Sequence, residues 1–333
     1  MANLNVDLGG MKMKNPVMPG SGTYDYFDCN ANVFPVRELG AVMIKSVHRL
    51  PREGNCGPRI TEVLGGMINA VGIPSVGIER FVAEQLPRFG DIGTNVVLSL
   101  SGNEPRHYFE SLEILDNDPR ISAVELNLSC PNVGSGLPFS ADPHSVTELV
   151  SGARRCTKLP LYIKLSPNIA DIRATALASE DSGADAVTIS NTFRAMKIDI
   201  DRGRPVLGNI SGGISGPAIK PLNMLLVYQA APVLHIPIIA SGGIATWQDA
   251  VEYIMAGATA LEVGCINFVD PMAMPKIIRG LNEFMDQRGF KNLHELRGLA
   301  HRTDWPPFRY KKISGTVILH CAASLGYKIK TSG

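Results

Sequence analysis

The stretch Val124-Glu125-Leu126-Asn127-Leu128-Ser129-Cys130-Pro131-Asn132 combines an apolar strand with a polar end. Its first half alternates apolar and polar residues, which predicts a largely buried β-strand. Pro131 has a fixed φ and no N–H, so the strand must end before it. A cysteine flanked by two asparagines follows the strand. Taken alone, this cysteine is either a small buried hydrophobe in a turn or a reactive thiol at the edge of a site.

The rest of the chain repeats this kind of strand. Short apolar runs alternate with longer amphipathic segments, which is typical of βα units and a parallel sheet. Their continuous hydrophobicity fits strands that are covered on both faces. Eight strands are predicted, at Pro16–Pro19, Ala41–Lys45, Asn95–Leu100, Ala123–Leu128, Leu161–Leu165, Ala186–Ile189, Pro237–Ala240 and Ala260–Val263. We therefore expect an α/β fold, a (β/α)₈ TIM barrel, with its site at the carboxyl ends of the strands.

Segments outside the repeat complete the predicted architecture. Residues 4–14 have the alternation and the Gly-Gly turn of a hairpin that would close the bottom of the barrel. The Gly/Ser-rich segment Val133–Ser140 is a candidate lid, and Phe193–Gly216 predicts excursion strands over the barrel mouth. No break in composition precedes residue 300 or so. Residues 1–300 are thus predicted to form one domain, followed by a basic C-terminal extension, 301–333, of unknown role.

Helix boundaries carry their own signals. Asp142 stands before a proline at the first helical position, and Thr246 precedes Asp249 by three residues in the manner of a capping box. A further helix is predicted over Ile169–Ser182, ending at Gly183 as its C-cap.

Composition argues against several functional classes. The chain has 333 residues, a net charge of +1 and no dense basic stripe, so nucleic acid is not an expected partner. Its six cysteines include no CxxC pair, which argues against a zinc or iron–sulfur site and favours reduced thiols in a cytoplasmic protein. No signal peptide is predicted, and no apolar run reaches the ~18 residues of a membrane-spanning helix.

Glycines and lysines at the predicted strand ends suggest anionic ligands. The glycines Gly242, Gly243 and Gly264 favour a phosphate site over plain tight turns. Lys45 and Lys164 lie in apolar strands, where lysines are rare without a charge partner. Lys164 has three open roles: a Schiff-base nucleophile, a counter-charge to an anionic cofactor ring, or a salt bridge to a carboxylate elsewhere in the chain.

Four asparagines and the cysteine fall at the same predicted rim. The amides of Asn69, Asn127, Asn132 and Asn191 each offer donors and an acceptor, which suits a planar heterocycle with N–H and C=O groups. As a thiolate, Cys130 could take a proton from carbon. Because no protein side chain accepts a hydride, oxidation of such a carbon acid requires a redox cofactor.

Together these motifs resemble those of the dihydroorotate dehydrogenases, over most of residues 3–290. Cysteine at position 130 resembles the soluble class 1 enzymes, and the details after Lys164 and Asn191 are closest to the class 1B catalytic subunit. The motifs that carry the resemblance are Asn127-Leu-Ser-Cys-Pro-Asn132, Met43-Ile-Lys45, Gly66-Met-Ile-Asn69-Ala-Val-Gly72, Tyr162-Ile-Lys164-Leu-Ser-Pro-Asn168, Ser190-Asn-Thr192, Gly212-Gly-Ile-Ser-Gly-Pro-Ala-Ile-Lys-Pro221 and Ser241-Gly-Gly-Ile244.

The resemblance implies bound FMN and the oxidation of (S)-dihydroorotate to orotate in de novo pyrimidine (UMP) biosynthesis. Cys130 would remove the C5 proton as general base while the C6 hydride passes to flavin N5, and Lys164 would offset charge on the reduced flavin. The implied FMN contacts are Ser21, Lys45, Ser46, Ser99, Asn127, Lys164, Ser190, Gly216, Gly242, Gly243, Gly264 and Cys265. The implied substrate contacts are Lys45, Asn69, Ala70, Val71, Gly72, Ile73, Asn127, Asn132, Asn191 and Thr192.

The resemblance also implies a partner. Electrons would pass to NAD through a separate FAD and iron–sulfur subunit, in a heterotetramer built on a homodimer core. Two departures from the class 1B pattern are Ser99, which stands in place of an asparagine, and Cys265, which stands in place of a threonine. Three alternatives stay open: a dihydropyrimidine dehydrogenase acting on uracil or thymine, a Schiff-base lyase using Lys164, and a non-catalytic partner-binding barrel.

Overall fold

The computed structural model describes residues 2–115, 118–128 and 139–303. In chain order the described strands are β1 (Val6–Leu8), β2 (Met11–Met13), β3 (Val17–Pro19), β4 (Ala41–His48), β5 (Ile60–Val63), β6 (Gly66–Asn69), β7 (Asn95–Ser101), β8 (Ala123–Asn127), β9 (Leu161–Lys164), β10 (Ala186–Ile189), β11 (Phe193–Ala195), β12 (Ile198–Asp199), β13 (Arg204–Pro205), β14 (Gly212–Ser215), β15 (Ile238–Ser241) and β16 (Ala260–Val263).

Eight of these strands form a parallel barrel in the order β3-β16-β15-β10-β9-β8-β7-β4. The two strands at the ends of this order, β3 and β4, pack against each other, so the barrel is nearly closed. All eight coincide with the predicted strands to within a few residues at each end. The predicted (β/α)₈ TIM barrel is confirmed.

Helices cover the outside of the barrel. They are α1 (Ile78–Arg80), α2 (Pro105–Leu115), α3 (Pro143–Cys156), α4 (Ile172–Asp181), α5 (Lys220–Ala230), α6 (Trp247–Met255), α7 (Ala273–Arg288) and α8 (Leu293–Leu296). The carboxylate of Asp142 caps α3 by accepting from two backbone N–H groups, and Thr246 with Asp249 forms the predicted capping box on α6. Within the described residues no helix has the length and apolar character needed to cross a bilayer.

The predicted start of α4 is wrong by three residues. The helix begins at Ile172 because the Asp171 side chain accepts from the Arg173 N–H as its N-cap. Asn168 is used elsewhere, since its side chain donates to the Thr192 carbonyl and accepts from the Arg194 N–H.

The predicted hairpin closes the amino-terminal end of the barrel. β1 and β2 pair in antiparallel fashion, and their buried side chains Leu8, Met11 and Met13 join an apolar cluster inside the barrel. The Tyr162 hydroxyl, from β9, donates to the Leu8 carbonyl at 2.6 Å. The lower half of the barrel is thus a packed apolar plug, and polar chemistry is confined to the other end.

Additional strands lie at the carboxyl end of the barrel. They form a four-stranded antiparallel sheet in the order β11-β14-β6-β5 and the two-stranded β12-β13 hairpin. The sheet contacts the loop after β10 closely, because a Cβ at Gly213 would fall 1.9 Å from the Thr192 hydroxyl oxygen. This agrees with the predicted excursion strands. The predicted lid, Val133–Ser140, falls almost entirely outside the described residues. Residues 304–333 are also outside them, so the separate extension 301–333 stays a prediction.

Candidate active site

A continuous network of hydroxyl and amide side chains lies at the carboxyl ends of five strands, β3, β4, β7, β8 and β10. We call it the mouth network; it comprises Ser21, Ser46, Ser99, Asn127 and Asn191. The Ser46 and Ser99 hydroxyls are 2.8 Å apart, the Ser21 hydroxyl accepts from the Ser46 N–H at 3.0 Å, and the Asn127 amide donates to Ser46 Oγ at 3.4 Å. The Asn191 amide in turn donates to Asn127 Oδ1 at 3.1 Å. Five predicted ligand residues therefore meet in one place.

Local features of the strands direct these side chains into the mouth. The pairing of β4 with β7 is irregular between Ile44 and Val47, and the intervening Ser46 is buried against the mouth network. Such irregularities re-aim a side chain at the end of a strand. Asn127 is held from behind, because the buried Tyr108 hydroxyl donates to its carbonyl at 2.8 Å.

Lys164, which is opposite Asn127 in the β8–β9 register, belongs to a cluster that we call the acid pair site: Lys164, Glu125 and Glu262. The Lys164 ammonium donates to Glu262 Oε2 and lies 3.7 Å from Glu125 Oε1. Glu125 Oε2 also accepts from the Thr188 hydroxyl at 2.8 Å. The two carboxylates come from β8 and β16, which are not neighbours in the sheet, so they meet across the barrel interior.

Burial shifts the charge states in this cluster. Burial and the nearby Glu262 carboxylate raise the pKa of Glu125 to about 8, against the opposing effects of Lys164 and Thr188. Burial alone would lower the pKa of Lys164, but the two carboxyl groups more than compensate and raise it. Lys164 is therefore charged at neutral pH. The salt bridge, one of its three predicted roles, is confirmed.

Lys45 lies at the rim beside the loop that contains Asn69 to Ile73. Its ammonium donates to the Pro74 carbonyl at 3.1 Å. Burial and the charge of Arg59 lower the pKa of Lys45, so two cations lie in the same region. Asn55 holds the loop in place, since its amide donates to the Ala70 carbonyl at 3.0 Å and its N–H donates to the Val71 carbonyl at 3.1 Å.

The four-stranded sheet at the barrel mouth and the loop after β10 bring further amides to the rim. The Asn69 amide donates to the Gly213 carbonyl at 3.4 Å across the β6–β14 pairing. Asn191 Oδ1 accepts from the Thr192 N–H at 2.8 Å, while its Nδ2 donates to Asn127 Oδ1. Both ends of the Asn191 amide are therefore held. The predicted substrate residues Asn69, Asn191 and Thr192 are thus positioned by strands and turns around the mouth network.

The predicted phosphate turns lie after β15 and β16. Gly243 has φ +71°, and a Cβ there would lie 2.7 Å from the Lys220 N–H nitrogen. The Tyr253 hydroxyl, from α6, donates to the Gly242 carbonyl at 2.6 Å. A Cβ at Gly264 would meet only one atom within 4 Å, which leaves its backbone open to a ligand. Burial raises the pKa of the Cys265 thiol. A hydrogen bond with Ser215, the residue before Gly216, acts in the opposite direction but does not cancel the effect of burial.

Ser190 is fixed by a buried polar bridge between β10 and the phosphate turn. Its hydroxyl donates to Asn223 Oδ1 at 2.5 Å. The amide of the fully buried Asn223 donates to the Ile189 carbonyl at 3.1 Å and to the Tyr253 hydroxyl at 3.3 Å. Asn223 was not predicted, since a lone asparagine inside a helix pattern carries no sign of its partner.

Two predicted residues, Cys130 and Asn132, lie outside the described residues. The chain on either side of their segment comes together, because the Ser140 N–H and hydroxyl both donate to the Leu128 carbonyl at 3.2 Å. Glu125, Glu262 and Arg59 are further residues that the sequence analysis did not select. The signal for the two glutamates was present, as a single acidic residue within each of two apolar strands.

Comparison with known proteins identifies the family of this chain. Residues 3–285 match the family model described as dihydroorotate dehydrogenase. The chain belongs to the dihydroorotate dehydrogenase family. The resemblance inferred from the motifs is therefore confirmed.

Three curated relatives are named "Dihydroorotate dehydrogenase B (NAD(+)), catalytic subunit". The chain is 41% identical to that of Bacteroides thetaiotaomicron over 90% of its own length and 99% of the relative. It is 42% identical to that of Geotalea uraniireducens, over 89% and 97% of the two chains. It is 43% identical to that of Parabacteroides distasonis, over 90% of its own length and 98% of the relative. Within the family, the chain is thus similar to catalytic subunits of the B type.

Proposed function

We propose that this chain is the catalytic subunit of a class 1B dihydroorotate dehydrogenase, which oxidises (S)-dihydroorotate to orotate in de novo pyrimidine biosynthesis. The observation that carries the proposal is the mouth network, which gathers amides and hydroxyls beside two lysines in a chain that belongs to this family. A cyclic ureide with a carboxylate, such as dihydroorotate, presents the matching N–H, C=O and anionic groups.

The residues at the mouth fit FMN, which supplies a two-electron acceptor when bound. The phosphate would lie on the backbone of the turns at Gly242, Gly243, Gly264 and Cys265, where glycines let N–H groups approach an anion. The side chains of the mouth network and Lys164 would hold the ring. Ser99 would act through its hydrogen bond to Ser46, which orients the Ser46 hydroxyl.

The rim fits an anionic substrate. Lys45 and Arg59 supply positive charge at one side, and the Asn55-anchored loop 69–73 supplies backbone groups beside them. Asn69, Asn127, Asn191 and Thr192 supply donors and acceptors for the N–H and C=O groups of the heterocycle. The carboxylate would therefore lie toward Lys45 and the heterocycle toward the asparagines.

Cys130 is the proposed general base that takes the C5 proton. It follows Leu128 by two residues, and Leu128 is anchored where its N–H donates to the Lys164 carbonyl at 3.2 Å. The segment that carries Cys130 therefore leaves and rejoins the barrel beside Asn127. Asn132, on the same segment, is proposed as a further substrate contact.

We further propose that a separate FAD and iron–sulfur subunit takes the electrons to NAD, in a cytoplasmic heterotetramer on a homodimer core. The name of the relatives, a catalytic subunit of an NAD(+) enzyme, supports a division of labour between two chains. The test is to reduce the flavin with dihydroorotate and to offer NAD, fumarate and quinone separately, with and without co-purifying proteins. Reduction of NAD only when a second subunit is present supports the proposal; NAD reduction by this chain alone contradicts it.

The direct test of the reaction uses the purified chain under anaerobic conditions. The protein is expected to be yellow and to be bleached by dihydroorotate. Cys130→Ala is expected to lose nearly all turnover while keeping its FMN, because the base is gone and the mouth network is intact. A colourless protein that takes up no FMN would end the proposal, and unchanged turnover in Cys130→Ala would remove the assignment of the base.

The alternatives fit less well. A Schiff-base nucleophile has to be an uncharged amine, whereas the carboxyl groups of the acid pair site keep Lys164 charged. A failure of borohydride to trap an adduct on Lys164 is therefore expected. A dihydropyrimidine dehydrogenase would prefer dihydrouracil, which has no carboxylate for Lys45 and Arg59, so a preference for dihydroorotate over dihydrouracil separates the two activities.

A further inference from the structure

The acid pair site contains more acidic groups than cations. One ammonium, on Lys164, faces two carboxyl groups, on Glu125 and Glu262, and all three side chains are at least 90% buried. If both carboxyl groups were ionised, the barrel interior would hold a net charge of −1. An uncompensated buried charge is strongly unfavourable, and buried groups change protonation state to avoid it.

The hydrogen bonding of the two carboxyl groups is incomplete in the same way. Glu125 Oε1 and Glu262 Oε1 are both buried, and neither has a hydrogen-bond partner among the described residues. Two ionised carboxylates could only accept, so neither could satisfy the other. A single proton on one of them would supply the missing donor and would remove the excess charge at the same time.

Among the residues that the structure describes, the surroundings of the pair offer no other source of charge. The strand register places Glu125 opposite Tyr162 and Glu262 opposite Met18, and both partners belong to the apolar plug below. At the level of the pair the neighbouring strands contribute the uncharged Ser99, Thr188 and Ser241. Tyr26 approaches Glu262 from the loop after β3, and burial raises its pKa, so it stays neutral. Lys164 is the single charged side chain that contacts the pair within the described residues.

We propose that Glu125 and Glu262 share one proton in the folded protein, and that this acid pair sets the net charge beneath the flavin ring. With one proton the acid pair site is neutral, and Lys164 is held in place by a carboxylate without contributing a free positive charge. Loss of the proton leaves a net negative charge one layer below Asn127. Glu125 and Glu262 are positioning residues, because they act on the ligand through Lys164. The raised pKa of Glu125 agrees with a proton held at neutral pH.

The shared proton can be counted on unfolding. A glutamate in the unfolded chain has a pKa of about 4.3, so near neutral pH the shared proton is released when the protein unfolds. Unfolding of the full chain as purified, in a weakly buffered indicator solution, is expected to release about one proton more from wild type than from Glu125→Gln. Glu262→Gln is also expected to release about one proton fewer than wild type, because the remaining carboxylate then pairs with Lys164 alone.

The control is Glu283→Gln, which changes an exposed glutamate on α7 and is expected to release as many protons as wild type. Equal release from wild type and both acid-pair variants would overturn the proposal. If the variants do not fold, infrared spectroscopy of the wild type provides the test. A protonated carboxyl band that disappears between about pH 6 and pH 10 is expected, and its absence at the lower pH would overturn the proposal.

The consequence for the flavin rests on the proposed function and is measured separately. Above the pKa of the pair, the negative charge disfavours added electrons, so the midpoint potential of bound FMN should fall more steeply with pH in wild type than in Glu125→Gln. Parallel pH profiles would remove the effect on the flavin. The proton count does not require FMN, so it separates a failure of the acid pair from a failure of the proposed function.

Discussion

Lys164 holds two buried carboxyl groups in the barrel interior, and its removal should be costly. We predict that Lys164→Met lowers the free energy of unfolding by about 3–5 kcal/mol near pH 8, the range expected when one member of a buried ion pair is lost. The methionine fills much of the space, so the loss reports the missing charge. Urea unfolding of the two proteins at several pH values measures it.

The sign of the pH dependence follows from the carboxyl groups. Without the ammonium, which opposes the shift, the raised pKa of the Glu125 carboxyl rises further above that of a glutamate in the unfolded chain. Such groups stabilise the fold at low pH, and this contribution is lost as the pH rises. The deficit of Lys164→Met should therefore be smaller at pH 5 than at pH 8. Lys276→Met is the matched control, since its exposed ammonium contacts Asp270 at 2.7 Å and such pairs contribute about 0–1 kcal/mol. Equal deficits at both pH values would contradict the prediction.

At the scale of single residues, the candidate ligand residues were easier to predict from the sequence than the residues that support them. Asn127 and Asn191 were predicted because amides at strand ends indicate a polar ligand, and Ser46 was included because the family resemblance implies it. The partners of Lys164 were not, because Glu262 is 98 positions away along the chain and meets it only when the barrel closes. Ser99 was identified as an implied FMN contact and as a departure from the class 1B pattern, but its hydrogen bond to Ser46 became visible only in the structure, where β4 pairs with β7.

Among the helices, α6 follows the glycine turn after β15 and is stabilised by a capping box at its N-terminus. Its capping box joins the Thr246 hydroxyl to the Asp249 N–H and the Asp249 carboxylate to the Thr246 N–H. We predict that Thr246→Ala lowers the free energy of unfolding by about 1 kcal/mol, the usual effect of losing an N-cap. Thr246→Ser, which keeps the hydroxyl, should retain most of that stability. Chemical denaturation of the three proteins provides the measurement, and equal losses in both variants would argue against a capping effect.

The elements themselves differ in how visible they are in the sequence. The barrel strands were predicted closely because strands covered on both faces form continuous apolar runs. The caps of α3 and α6 were predicted because a cap depends on residues three or four positions apart. The pairing of β6 with β14 was not predicted. It joins residues about 145 positions apart, and the glycines that allow the close approach resemble ordinary loop residues.

For the molecule as a whole, the barrel separates an apolar end from a reactive end. The hairpin and the plug exclude water from below, while the acid pair site and the mouth network form two successive polar layers above. The proposed FMN and substrate contacts all lie between Ser21 and Cys265, and the family match ends at residue 285. None of the proposed contacts falls in the basic extension.

A chain that ends at His301 is therefore predicted to keep its FMN and its bleaching by dihydroorotate at the level of the full chain. The end point matters, because the His301 ring stacks on Tyr228 with centroids 4.1 Å apart and its Nε2 is 2.9 Å from the Ala256 carbonyl. A chain that ends at Gly289 is the matched comparison. It removes the Lys291 carbonyl that accepts from Asn3 at 2.8 Å and the buried Leu293, Leu296 and Leu299, so it should unfold more easily. Flavin content per protein and urea unfolding of the three chains are the measurements. Loss of FMN from the chain that ends at His301 would show that the extension takes part in the site.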